Sequence, residues 1–214
     1  MDASKNNLWF VYGGYNSAYV PTGNLKGYSH FNGITWKNTA FTNAFPVYDL
    51  VSVTIDINHE NRAFISSYSD TNSGNILSGG GLFEVIDDQI VNFYNSKNSP
   101  LEDLFPNDPN RITTRINGTT FDNQGNLWVT DALASNKLKK LSSGGSWLSF
   151  DLRSIQTNKA EELNTITVDK SNSLWIGTRR NGVYVFNETG NRKRALTTEP
   201  TKGSLPHANV RTVA

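Results

Sequence analysis

The 214-residue sequence predicts an all-β chain built from four four-stranded repeats, and three observations carry that prediction. First, one cassette recurs: an apolar strand ending in Asp, a short turn rich in Asn, Ser and Gly, and a second apolar strand that opens on Leu-Trp in three copies of four. The copies run from Asp2 to Val11, Ile55 to Ile65, Phe121 to Thr130 and Val168 to Thr178, and Asp2, Asp56, Asp122 and Asp169 stand 54, 66 and 47 positions apart. Second, all five tryptophans fall at repeat-equivalent places, Trp9, Trp128 and Trp175 on the second strand and Trp36 and Trp147 on the fourth. Third, β-branched and aromatic runs alternate with Gly and Asn punctuation, the pattern of short strands joined by turns. Recurrence at about 40–50 residues is the mark of β-propeller blades.

Each repeat reads as four strands. First strands are expected at Tyr48–Asp56, Ile116–Asp122, Leu163–Asp169 and Val210–Ala214, and second strands at Leu8–Tyr12, Arg62–Ser66, Asn126–Thr130 and Ser173–Thr178. Third strands are expected at Lys26–Phe31, Gly81–Ile86, Lys137–Leu141 and Gly182–Phe186, and fourth strands at Gly33–Trp36, Gln89–Phe93 and Gly144–Trp147. The blades then lie at about 48–110, 111–155 and 160–200, and the first combines strands within 1–40 with a strand at 207–214. That order fits either a four-bladed ring closed by its last strand or a segment of a longer array, and the segment is the reading adopted. Three long loops stand out, Gly14–Leu25, Ser69–Gly80 and Asn95–Asn110, and one short helical turn is expected at Ile155–Glu162. Long loops on a rigid scaffold are where binding tends to reside.

The cassette has a mechanical reading. Asp and Asn side chains bond backbone groups two residues on, and Asn and Gly accept the left-handed region that a tight turn needs. Leu-Trp places one side chain on each face of the sheet. Asp56, Asp122, Asp169, Trp9, Trp128 and Trp175 are therefore expected to make the fold rather than to perform chemistry.

Composition excludes several functions. A net charge of +1 gives no field to draw nucleic acid, and the chain holds no apolar run long enough for a transmembrane helix. Cysteine is absent, which removes disulfides, thiol catalysis and cysteine-based zinc sites. His30, His59 and His207 lack metal-ligand spacing, and counting a calcium loop from Asp122 puts Leu133 where a bidentate Glu belongs. Asp87-Asp88 and Glu161-Glu162 read as solvated pairs. No catalytic residue, metal site or cofactor is assigned. Ligand-binding candidates are Arg179 and Arg180 after the last second strand, whose guanidinium groups suit phosphate or carboxylate, and Tyr15 and Tyr19 in the first long loop, beside Tyr12. Arg192-Lys193-Arg194, placed after the last third strand, form a further basic run.

The stretch from Ile166 to Phe186 resembles the two-component-regulator propeller repeats of Bacteroidetes. Leu50–Asp56, Ala63–Ser67, Gly81–Val85, Ile90–Ser99 and Gly118–Thr130 are similar to the second propeller of the PorZ family. That resemblance implies a segment of a seven-bladed propeller in an exported component of the type IX secretion system, in the periplasm or at the outer-membrane surface. It implies a noncatalytic scaffold whose partners are other blades or domains of the parent protein, a sortase complex and lipopolysaccharide, with no nucleic acid. The alternative is the periplasmic sensor propeller of a hybrid histidine kinase that recognises oligosaccharides.

Overall fold

In a computed structural model of the chain, residues 1–42, 45, 47–56, 58–69, 79–156 and 162–214 are described. Among the described residues sixteen strands form four antiparallel sheets of four, each in chain order from one edge to the other. The first holds β1 (Asp2–Ala3), β2 (Leu8–Val11), β3 (Tyr28–Phe31) and β4 (Trp36–Thr39). The second holds β5 (Leu50–Ile55), β6 (Arg62–Ser67), β7 (Leu82–Ile86) and β8 (Gln89–Tyr94). The third holds β9 (Ile116–Phe121), β10 (Leu127–Asp131), β11 (Leu138–Leu141) and β12 (Trp147–Phe150), and the fourth β13 (Leu163–Val168), β14 (Leu174–Thr178), β15 (Val183–Asn187) and β16 (Arg192–Leu196). The all-β, four-by-four architecture is the one the repeats predict.

The chain divides into two compact units, Met1–Ile116 and Asn117–Ala214. Each is organised around a pair of sheets. In the first unit Trp9, Tyr28 and Val11, all on one face of the first sheet, pack against Val53, Ile55, Ala63, Ile65, Phe83 and Val85 of the second. In the second unit Trp128, Leu138 and Phe150 of the third sheet pack in the same way against Leu163, Ile166, Leu174, Ile176 and Phe186 of the fourth. Period-two alternation produces this arrangement: Leu8 and Phe10 face away from Trp9, so a one-residue slip would exchange the two faces. Side-chain-to-backbone hydrogen bonds join the pairs as well. Asp2 Oδ2 accepts from Ile55 N at 2.8 Å in the first unit, and Asn117 Nδ2 donates to Leu163 O at 2.9 Å in the second.

Several elements differ from the sequence reading. Residues 210–214 carry no strand. Val210 N donates to Thr178 O at 2.8 Å, Asn164 Nδ2 to Val210 O at 2.8 Å and Val213 N to Thr165 Oγ1 at 3.1 Å, which lays this segment along the fourth sheet. The outer place in the first sheet is taken by Asp2–Ala3, paired with Trp9 and Leu8. Fourth strands begin on Trp36 and Trp147 rather than end there, because Gly33 and Gly145 adopt positive φ and form the turns. Arg192–Arg194 follow the third strand as expected and open the fourth, β16. The helical expectation at 155–162 meets one 3-10 turn at Arg153–Ile155, and 157–161 lie outside the described residues, as do 70–78 of the second long loop.

Candidate ligand-binding site

The cassette carboxylates serve turn and strand. In the third sheet Asp122 Oδ1 accepts from the backbone N–H groups of Gln124 and Asn126, both at 2.9 Å, while Oδ2 accepts from Asn126 Nδ2 and the indole Nε1 of Trp128, again at 2.9 Å. The fourth sheet repeats this: Asp169 takes Ser171 N at 2.8 Å, Ser173 N at 2.9 Å and Trp175 Nε1 at 2.9 Å. Burial pushes the Asp122 carboxyl up, but the donors from Asn126, Trp128 and Gln124 together hold it below the ordinary carboxylate range.

In the second sheet Phe64 stands at the tryptophan position, and the indole donor is replaced by a cation. Arg62 bonds Asp56 Oδ2 through Nη1 at 3.0 Å and Glu84 Oε1 through Nε at 2.8 Å, with both carboxylates nearly buried. Burial again opposes ionisation of Asp56, and Asn58 N, Arg62 and His59 outweigh it, so its carboxyl lies lowered. Burial also pushes the Tyr94 phenol up to about 12, helped by the neighbouring Glu84 carboxylate that its hydroxyl donates to.

The first sheet corrects the alignment of the cassette. Asp2 pairs with Trp9 exactly where Thr167 pairs with Trp175, two residues before the turn. The residue at the cassette Asp position is Ser4, whose N–H closes the turn onto Asn7 O at 2.9 Å as Asp122 N closes onto Asn126 O. Ser4 Oγ and Trp9 Nε1 are both buried without a hydrogen-bond partner. Trp9 is held by packing instead, stacked on His30 with ring centroids 3.8 Å apart. His30 in turn bridges the two sheets, with Nδ1 2.8 Å from Asp88 Oδ1 and Nε2 2.7 Å from Asn7 Oδ1. Asp88, expected to be a solvated charge, is a partner of a buried imidazole.

The candidate ligand residues lie on second-to-third-strand connections. Arg179 is anchored: its backbone N donates to Glu162 O and its Nη1 to the buried Glu162 Oε1, each at 3.0 Å. The rest of the loop is equally tied. Asn181 N donates to Thr178 Oγ1 at 2.9 Å and its Nδ2 to Tyr184 Oη at 2.8 Å, and Gly182 at φ +76° sits where a Cβ would lie 2.1 Å from Leu196 O. Arg180, at the tip, is exposed. The equivalent loop of the first sheet is the Gly14–Leu25 stretch. Its centre is Asp49, fully buried, whose carboxylate accepts from Thr22 Oγ1 and Gly23 N at 2.7 Å and Asn24 N at 3.0 Å. Tyr19 is 1% exposed at φ 61°, stacked on Tyr15, which also meets Tyr68. The ring faces are thus largely used inside the loop, leaving Tyr15 half-buried.

Sequence reasoning passed over Asp49; the available signal was a lone acid preceding an apolar strand and facing a loop rich in Gly, Thr and Asn. It also passed over a polar cleft of about 510 Å³ at the opposite strand ends of the first unit, lined by Asn6, Asn7, Glu60, Asn61, Arg62 and Asp87 among others. Among the described residues no three His, Asp or Glu gather as a metal site, and no helix is long and apolar enough to cross a membrane.

Four-stranded sheets in sequence order, joined by repeat-equivalent turns and packed face to face, define a propeller-type repeat domain. No model of a known protein family matches the sequence, and no curated protein does. Solved structures do match. PorZ, a bacterial surface component of the type IX secretion system of Porphyromonas gingivalis, superimposes with TM-score 0.72 at 16% identity, over 97% of this chain and 28% of that one. The extracellular domain of a hybrid two-component system of B. thetaiotaomicron gives 0.65 at 14% identity, over 100% of this chain and 24% of that one. Virginiamycin B lyase of Staphylococcus aureus gives 0.59 at 16% identity, over 95% and 56%. At such identities the likeness is one of fold. The chain spans about a quarter of the length of the first two.

Proposed function

We propose that the chain is a noncatalytic propeller module of an exported, PorZ-like component of a type IX secretion system, acting as scaffold and as a binder of lipopolysaccharide or related anionic glycan. The observation that carries the ligand half is Arg180 on a rigid loop. A guanidinium presented by a backbone that needs no ordering loses little entropy on binding phosphate or carboxylate. Arg179 positions that loop through Glu162, and in the first unit the part of Tyr15 that Tyr19 and Tyr68 leave uncovered is the surface that would meet a sugar. The likeness to PorZ over nearly the whole chain supports the secretion role, and sortase-complex proteins are then the expected partners.

The test is titration of the chain with purified anionic lipopolysaccharide, and with a neutral oligosaccharide as control, followed by calorimetry. Saturable binding of the anionic glycan, weakened about tenfold in Arg180→Ala, is expected, since one charge-assisted contact is worth roughly 1.5–3 kcal/mol. No binding, or binding indifferent to Arg180, contradicts the proposal.

A second reading has its own support, the match of the whole chain to the extracellular domain of a hybrid two-component system. In that case the ligand is a neutral oligosaccharide, and the control arm of the same titration becomes the productive one.

A further inference from the structure

The chain holds three Asn-Gly pairs, Asn32-Gly33, Asn117-Gly118 and Asn181-Gly182. In such a pair the glycine nitrogen can attack the asparagine side-chain carbon, because no Cβ shields that nitrogen and the backbone is free to turn. The fold withholds the reaction at two of the three. Asn117 is 3% exposed in β9, and its Nδ2 donates to Leu163 O at 2.9 Å and to Asn164 Oδ1 at 3.2 Å. Asn181 is 4% exposed and its Nδ2 donates to Tyr184 Oη at 2.8 Å. The nitrogen that would attack it, Gly182 N, is itself bonded to Ala208 O at 2.8 Å.

Asn32-Gly33 is built the other way. Both residues are exposed in the turn from β3 to β4, where Gly33 sits at φ +89°. Among the described residues neither Asn32 Nδ2 nor Gly33 N has a hydrogen-bond partner, so leaving group and nucleophile are both free. The side chain is held by its oxygen instead: Oδ1 accepts from Ile34 N at 3.0 Å and from Thr35 N at 2.9 Å. Two backbone donors on a carbonyl oxygen draw charge from Cγ and stabilise the oxyanion that forms on addition.

We propose that Asn32 is a self-modifying site, converted in the folded chain through a succinimide to aspartate and isoaspartate. Gly33 N bonds to Asn32 Cγ, the Cγ–Nδ2 bond breaks, and the glycine proton leaves with Nδ2 as ammonia. Water then opens the imide. Hydrolysis at Cγ gives aspartate; hydrolysis at the backbone carbonyl gives isoaspartate, which carries the main chain through the former side chain. The product changes its surroundings. Asn32 lines the polar cleft together with Glu60 and Asp87, neither of which has an ion-pair partner among the described residues. Conversion sets a third carboxylate there and removes one unit from the chain's net charge of +1. The cleft therefore grows more acidic as the protein ages, whatever the loops at the other strand ends bind.

The test incubates the 214-residue chain in warm, mildly alkaline buffer, folded or in urea, and follows all three sites by peptide mass spectrometry. Isoaspartate is identified by its selective enzymatic methylation. In the folded chain position 32 should convert more than about tenfold faster than 117 and 181, which react only after local opening. In urea the three should convert at similar rates, because the protection is then gone. A folded chain in which position 32 stays intact overturns the proposal, as does conversion of 117 or 181 at a matching rate. The same preference for position 32 in urea also overturns it, since local sequence rather than the fold would then make the choice.

Discussion

The third and first sheets solve one problem in two ways. Both bury a tryptophan at the centre of the second strand, Trp128 at 2% and Trp9 at 0% exposure. Trp128 has its indole N–H bonded to Asp122; Trp9 has Ser4 in that place, and neither its N–H nor the Ser4 hydroxyl has a partner. The loss of one buried hydrogen bond costs about 1–3 kcal/mol, which a large, well-stacked ring can outweigh. The first duty of the cassette carboxylate is therefore the turn, and the indole bond is an addition. The second sheet sharpens the point, since Arg62 replaces the indole as donor to Asp56.

The largest expected effect is Trp128→Ala, which should lower stability by about 3–5 kcal/mol in urea unfolding, as truncation of a buried aromatic does. Trp175→Ala should cost clearly less, because that ring is only half-buried although it keeps its bond to Asp169. Equal losses would contradict the burial difference. Next comes Arg62→Ala, which strands Asp56 and Glu84. With the guanidinium side chain 30% exposed, roughly 2–3 kcal/mol is expected, below the loss typical of fully buried pairs. A smaller and more diagnostic step is Ser4→Asp. If the longer carboxylate reaches the Trp9 indole, stability should rise by about 1 kcal/mol; an unchanged midpoint would mean the turn at Ser4, one residue shorter than that at Asp122, holds the groups apart.

Acid completes the contrast. Asp122 and Asp56 lie below their ordinary values in the folded chain, so they contribute stability that is fully present above the unfolded carboxylate value of about 3.9 and is lost as pH falls through the lower folded values. Urea midpoints should hold from neutrality to just above pH 4 and decline below it. The decline should be shallower in Asp122→Asn, and an identical acid limb in that variant would remove Asp122 from the account.

The repeats were legible because their determinants are local. A turn needs Asp, Asn or Gly at fixed offsets, and a strand buried on both faces needs apolar residues at every position, as in Leu127-Trp128-Val129. The partnerships were less legible, because they are set by register across sheets. Asp2 carries the right residue type two positions early, and only its pairing with Trp9 reveals Ser4 as the true counterpart. Tyr15 and Tyr19 look like a platform in sequence, but Asp49, more than twenty residues away, folds their loop inward. Arg179 and Arg180 look alike as neighbours, and Glu162 separates them into an anchor and a tip. In each case a long-range polar contact decided the role of a residue whose type alone was ambiguous.

The most direct test of the central claim is a pair of double-mutant cycles, one on Asp122 and Trp128 with Asp122→Ala and Trp128→Phe, the other on Ser4 and Trp9 with Ser4→Ala and Trp9→Phe. A coupling of about 1–2 kcal/mol is expected in the third sheet, and none beyond about 0.3 kcal/mol in the first. Equal couplings in the two sheets would contradict the account, because they would mean that Ser4 serves its tryptophan as Asp122 does.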